Sequence, residues 1–138
     1  MLWSGRFDED GNPTLTFRVS ADDKTASVEV TGIIDTGFTG FVLLPKTYVL
    51  SLGLRQRSTT RLRLADDSIC IAVLADAFIS LDANTGRQGI VTLEDNCKEV
   101  LVGMDFMRQF ALALALTSKT ITLIDETMLD GLIASARS

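Results

Sequence analysis

Thr31-Gly32-Ile33-Ile34-Asp35-Thr36-Gly37-Phe38-Thr39-Gly40-Phe41-Val42-Leu43-Leu44-Pro45 is the segment that decides the fold of this chain. An apolar run meets an acid, then a threonine and two glycines, then a second apolar run. A carboxylate between two core strands is costly unless it is hydrogen-bonded, paired or placed at a polar opening. Gly37 and Gly40 permit a tight turn and a close backbone approach around it. Such a loop presents Asp35 at the end of a buried strand, aimed into a cleft. The Thr36 hydroxyl can turn back to the backbone, or across to a partner, and stiffen the loop.

On either side of this segment the chain reads as short strands. Leu15, Phe17 and Val19 alternate with polar residues, as do Val28 and Val30, which lead into Ile33-Ile34. The same period of two recurs at Ile69, Ile71 and Val73, at Val91 and Leu93, and at Ile121 and Leu123. This alternation puts one face of each strand in a core and the other toward water. Asp8 to Pro13 and Asn84-Thr85-Gly86 are loops by composition, and Asp66-Asp67-Ser68 reads as a hairpin tip. Pro45 to Leu52 is expected to be helical, with proline in its first turn and Gly53 as its stop. Met104 to Phe110 carries Phe106, Met107 and Phe110 at helical spacing, and Glu126 to Ser138 can form a further helix with Met128, Leu129, Leu132 and Ile133 on one side. The expected fold is all-β, one domain over residues 1–138, with a closed barrel or strongly bent sheet and one or two short helices.

Composition limits the chemistry. The 138 residues carry 13 Lys+Arg and 18 Asp+Glu, a net charge of -5, which argues against a nucleic-acid partner. There is no histidine, so Ser-His-Asp and Cys-His nucleophile systems and histidine-ligated metals are excluded. Cys70 and Cys97 are too few for a four-cysteine zinc site and read as reduced, buried, small apolar residues. The longest apolar run, Phe110 to Leu116, is far short of the roughly 20 residues of a membrane span. Met1 to Arg6 lacks the basic and apolar regions of a signal peptide, so a cytoplasmic location is expected. Catalysis, if present, rests on carboxylates, hydroxyls, lysine or a lone thiol. Arg55, Arg57, Arg61 and Arg63 recur at alternate positions and read as a solvated strand face, with an acidic-partner patch as the other reading.

Asp35-Thr36-Gly37 between apolar strands resembles the active-site loop of aspartic proteases, in particular the retropepsin-like branch. Three further segments strengthen the likeness in the right order. The second strand reaches Leu44-Pro45 and a short helix ending at Leu52-Gly53-Leu54. Leu64-Ala65-Asp66-Asp67-Ser68 resembles the flap hairpin of bacterial members, where Leu-Ala-Asp-Gly-Ser is common. Leu101-Val102-Gly103-Met104-Asp105-Phe106 resembles the segment and helix that pack beneath the active-site loop, with Gly103 and Asp105 in the supporting position. The resemblance covers about residues 14–125 and leaves 126–138 as a C-terminal extension.

The resemblance implies an aspartic endopeptidase with Asp35 as its catalytic residue, Thr36, Gly37, Phe38, Thr39 and Gly40 as the active-site loop, and Leu64, Ala65, Asp66, Asp67 and Ser68 as the flap. The substrate it implies is an extended peptide or unfolded protein, with no metal or other cofactor. One loop supplies one carboxylate where the chemistry needs two, so the active unit is expected to be a homodimer in which two Asp35 side chains meet on a two-fold axis. In retroviral relatives the chain termini interleave at that interface, and the tail can contribute there. Departures from the family pattern are also present. Phe38 stands where a small residue is usual and is expected to narrow the cleft. Thr39 and Met104 replace an acid and an arginine that pair in retroviral members. The flap tip carries Asp66 and Asp67 in place of glycines. Asp105 reads equally well as a helix-start acid. Two other functions fit the same residues: a catalytically silent peptide-binding or dimerisation module of this fold, and a small regulatory protein whose β-domain only supplies an interface.

Overall fold

The computed structural model describes residues 1–63 and 66–137, with every side chain among them except that of Val49. The strands are β1 (Leu2–Ser4), β2 (Arg6–Phe7), β3 (Pro13–Ser20), β4 (Val28–Ile34), β5 (Val42–Pro45), β6 (Arg55–Arg63), β7 (Ile69–Asp82), β8 (Thr85–Glu94), β9 (Leu101–Val102), β10 (Leu112–Leu116) and β11 (Ile121–Asp125). Three helices complete the described residues: α1 (Thr47–Leu52), α2 (Met104–Gln109) and α3 (Glu126–Arg137). The larger sheet runs β2-β3-β4-β9-β5-β8-β7-β6, and an additional β3–β7 pairing closes six of its strands into a barrel. Closure depends on the length of β7. Its first half pairs with β6, and further along the same edge Phe78 to Ser80 pair with Ser20 to Arg18 of β3. The fold is therefore mainly β, and its short helices fall in the three segments whose sequence is helical in pattern.

Alternation delivers the core. Leu15, Phe17 and Val19 of β3, Val91 and Leu93 of β8, and Ala75, Ala77 and Ile79 of β7 point inward and are buried. Phe106 and Phe110 of the α2 segment pack with Phe17 and Phe41, with ring centroids 4.7–5.7 Å apart for the three pairs that include Phe106. Ile69 and Ile71 do not join this core. They are 57% and 72% exposed, because that end of β7 runs out of the barrel as a two-stranded hairpin with β6. Pro45 closes β5 rather than opening a helix, and α1 begins two residues later at Thr47. Gly53, with φ of +66°, stops it as expected. The β7–β8 turn is also tighter than expected: Ala83-Asn84 make it, while Thr85 and Gly86 already belong to β8.

The chain ends form their own three-stranded sheet, β1-β11-β10. Leu2 to Ser4 pair with Thr122 to Ile124, and the Met1 ammonium donates to Asp125 Oδ2 at 2.9 Å. Asp125 Oδ1 also accepts the Met128 N–H at 2.8 Å, capping α3. These bonds hold the Asp125 carboxyl below its usual range. Trp3 Nε1 donates to Asp82 Oδ2 at 3.0 Å and ties this sheet to the barrel. The N-terminal strand is thus paired within its own chain. α3 has no fully buried residue, and Leu132 and Ile133 are 54% and 40% exposed. No helix among the described residues is long and apolar enough to cross a membrane.

Candidate active site

Asp35 leaves the barrel at the end of β4, between two strands that do not pair with each other. β9 lies between them, parallel to β4 and antiparallel to β5. This insertion braces the loop. Val100 and Val102 carbonyls accept the N–H groups of Ile33 and Asp35 at 2.8 and 2.9 Å, and the Phe41 carbonyl accepts the Gly103 N–H at 2.9 Å. The first turn of α2 completes the support. A helix leaves its first N–H groups unpaired, and here those of Met104 and Asp105 donate to the carbonyls of Phe38 and Gly40 at 2.8 and 3.1 Å. Loop carbonyls and helix amides satisfy one another, so neither is left bare in a half-buried place.

Within the loop, Asp35 Oδ1 accepts the Gly37 N–H at 2.9 Å, and the Asp35 carbonyl accepts the Phe38 N–H at 3.1 Å. The second carboxylate oxygen takes no donor among the described residues. Asp35 is half-buried, while Thr36, Gly37 and Thr39 are exposed. The Thr36 hydroxyl makes no hydrogen bond among the described residues, so the backbone bonds, and not Thr36, stiffen the loop within one chain. The Phe38 ring lies over the glycines that follow. A Cβ on Gly40 would come 2.5 Å from Phe38 Cζ, and one on Gly103 would come 2.6 Å from Phe38 Cδ2 and strike the Gly40 carbonyl. Phe38 therefore folds down onto the support while still bordering the cleft. Gly103→Ala is expected to cost about 1–3 kcal/mol, as overpacking does. Urea unfolding of this variant checks it, and a midpoint equal to wild type would show that the backbone can yield there.

The cleft beside Asp35 has a volume of about 660 Å³ and is lined by Asp35, Gly37, Phe38, Thr39, Leu43, Arg61, Leu62, Arg63 and Leu101. The structure thus brings the Asp35 loop together with the hairpin that follows, but through the strand β6 and not through the tip. Asp66, Asp67 and Ser68 do not border this cleft, and Leu64 and Ala65 lie outside the described residues. At the tip Asp66 Oδ1 accepts the N–H and hydroxyl of Ser68, and these bonds lower its pKa. Asp67 has φ of +66°, the left-handed region that glycine occupies without strain. Its position matches the glycine of the Leu-Ala-Asp-Gly-Ser pattern. Asp67→Gly is expected to raise stability by about 0.5–1 kcal/mol, the release of backbone strain exceeding the added freedom of the unfolded chain. A fall in thermal midpoint would contradict this.

The arginine run divides. A bulge between Gln56 and Ser58 breaks the alternation, so the four arginines do not share one face. Arg57 at the bulge pairs with Asp76 at 3.4 Å, while Arg61 and Arg63 reach the cleft. All four arginines are exposed, as the alternation implies, but the bulge, which carries no strong sequence signal, keeps them from sharing one strand face. Asp105 serves the site through its backbone, and its carboxylate instead accepts Gln109 Nε2 at 2.7 Å. With Thr39 and Met104 neutral, the Met104 N–H to Phe38 carbonyl bond joins helix to loop.

Cys70 and Cys97 are free and half-buried rather than fully buried. Burial and the Glu94 carboxylate push the Cys70 thiol above its ordinary range, and burial raises that of Cys97. Neither thiol is poised as a nucleophile. Among the described residues no three His, Cys, Asp or Glu side chains gather to hold a metal ion.

No family model matches the chain, and no curated protein sequence matches it. Among solved structures it is similar to the crystal structure of a retropepsin-like aspartic protease from Rickettsia conorii, with a TM-score of 0.62 over 89% of each chain and 14% sequence identity. The closed barrel with its inserted strand β9 is a retropepsin-like fold.

Proposed function

We propose that this protein is an aspartic endopeptidase, active as a homodimer in which the Asp35 carboxylates of two chains face each other. The observation that carries the reading is Asp35 itself. It is half-buried at a barrel-strand end, held by β9 and α2, and opens with one undonated oxygen onto a cleft walled by the β6 strand. The loop residues left exposed, Thr36, Gly37 and Thr39, are those a second copy would cover, and a two-fold axis there supplies the missing carboxylate.

Two carboxylates at about 3 Å cannot both ionise and share one proton. The ionised Asp35 takes a proton from water as the water oxygen attacks the peptide carbonyl carbon. The protonated Asp35 gives its proton to the carbonyl oxygen, which forms a tetrahedral diol. Collapse of the diol breaks the C–N bond: the carboxyl that took the water proton gives it to the amine nitrogen, and a diol hydroxyl passes its proton to the other carboxylate, which restores the singly protonated pair.

A second reading, a module of this fold that binds peptides without cutting them, is favoured by Phe38 at the cleft wall. Digestion of an unfolded-protein pool across about pH 3–8, a range that brackets the upper ionisation of a proton-sharing carboxylate pair, separates the two. Cleavage blocked by a statine-type mimic establishes the peptidase. A sample that sediments as a dimer and yields no products establishes the silent module.

A further inference from the structure

Resting on the reading of the Asp35 cleft as a peptide site, we propose that it selects extended segments of the pattern acidic–apolar–acidic, with Arg61 and Arg63 receiving the two acids and Leu62 the residue between them. β6 is the last strand of its sheet and, among the described residues, hydrogen-bonds only to β7, which leaves its other edge for an added strand. Arg61 and Arg63 pair with Ile71 and Ile69, which puts both arginines on one face and Leu62 on the other. A peptide laid along that edge presents side chains at i and i+2 to the arginines, and its middle side chain to Leu62, Leu43 and Leu101.

Among the described residues one charge on this wall is unpaired and the other is loosely held. Arg61 makes no ion pair among the described residues. Arg63 reaches Asp67 only at 4.0 Å, with the two side chains 72% and 89% exposed, a contact easily exchanged for another carboxylate. By contrast Arg57 is paired with Asp76 at 3.4 Å, and Arg18 is held by Ser27 Oγ at 2.7 Å as well as by Glu29. In a chain of net charge -5, the residues lining this cleft carry two guanidinium groups against the one carboxylate of Asp35. Beyond the leucines, a second hollow of about 290 Å³ is lined by Glu94 and Glu99 as well as Lys98, so the acidic preference belongs to the β6 side alone.

The test is fluorescence anisotropy with two labelled peptides that differ only in carrying Glu-Leu-Glu or Gln-Leu-Gln, measured on the full-length Asp35→Asn protein so that hydrolysis does not intervene. The Glu peptide is expected to bind about three- to tenfold tighter at low ionic strength, the sum of two exposed charge pairs, and the difference should collapse at high salt. Arg61→Glu/Arg63→Glu, checked for an unchanged melting curve, should reverse the order. Equal affinities, no measurable binding of either peptide, or a preference untouched by the double substitution each overturn the inference. The peptidase reading stands or falls separately. A wild-type protein that cleaves both peptides with equal kcat/KM refutes the selectivity and keeps the peptidase, whereas selective binding without cleavage refutes the peptidase and keeps the selectivity.

Discussion

Asp35→Asn is expected to lower kcat/KM for peptide cleavage by about 10²–10⁴-fold, the usual worth of a general acid–base pair, while leaving the fold intact. Asparagine has the same shape as aspartate, and its side-chain oxygen still accepts the Gly37 N–H that closes the loop. The backbone bonds from Val102, Phe38 and Gly40 do not involve the side chain at all. On the proposed mechanism, what is lost is the ability to take a proton from water and return it to the amine. In a symmetric dimer one codon removes both carboxylates. Heterodimers formed by co-refolding wild-type and D35N chains should also be inactive, because the reaction needs two carboxyl groups that share one proton. Undiminished cleavage by D35N with an unchanged melting curve would remove Asp35 from the reaction.

Phe106→Ala should cost about 3–5 kcal/mol, a large part of the roughly 5–15 kcal/mol that keeps a domain folded. Phe106 is fully buried and touches Phe17 of β3, Phe41 beside β5, and Phe110, so its loss opens a cavity among groups that cannot all collapse inward. The effect reaches the site because Phe106 anchors the helix whose first amides hold the Phe38 and Gly40 carbonyls. Urea unfolding reads the stability loss. Amide hydrogen exchange at Gly103, Met104 and Asp105 reads the loosening of the loop, and is expected to quicken more than global destabilisation alone predicts. Protection at these amides that merely tracks global stability would show that loop and helix do not depend on this ring.

Much of the site is legible in a single segment because its residues are local. Asp35, its glycines and the flanking strands occupy one continuous run, and the physics of an acid between apolar strands points to an opening whatever the rest of the chain does. The segments at Leu101 to Phe106 and at Pro45 to Leu54 are legible as elements for the same reason. The boundaries are less so. Pro45 suits both a first helical turn and a strand end, and pairing of β5 with Glu94 of β8 settles which. Ile69 and Ile71 show the alternation of a core strand, yet whether such a face meets a core depends on how far the hairpin extends past the barrel, which no local pattern encodes.

Residue type and near-neighbour spacing are enough to specify the mainly-β class, the loop that carries Asp35 and the absence of histidine chemistry. Long-range pairing was needed for the insertion of β9 between β4 and β5, the double use of one β7 edge that closes the barrel, and the bulge that puts Arg61 and Arg63 on the other strand face from Arg55. Those outcomes rest on hydrogen bonds between residues far apart in the chain, and such pairings are chosen by the free energy of the whole packed sheet, not by any one stretch of it.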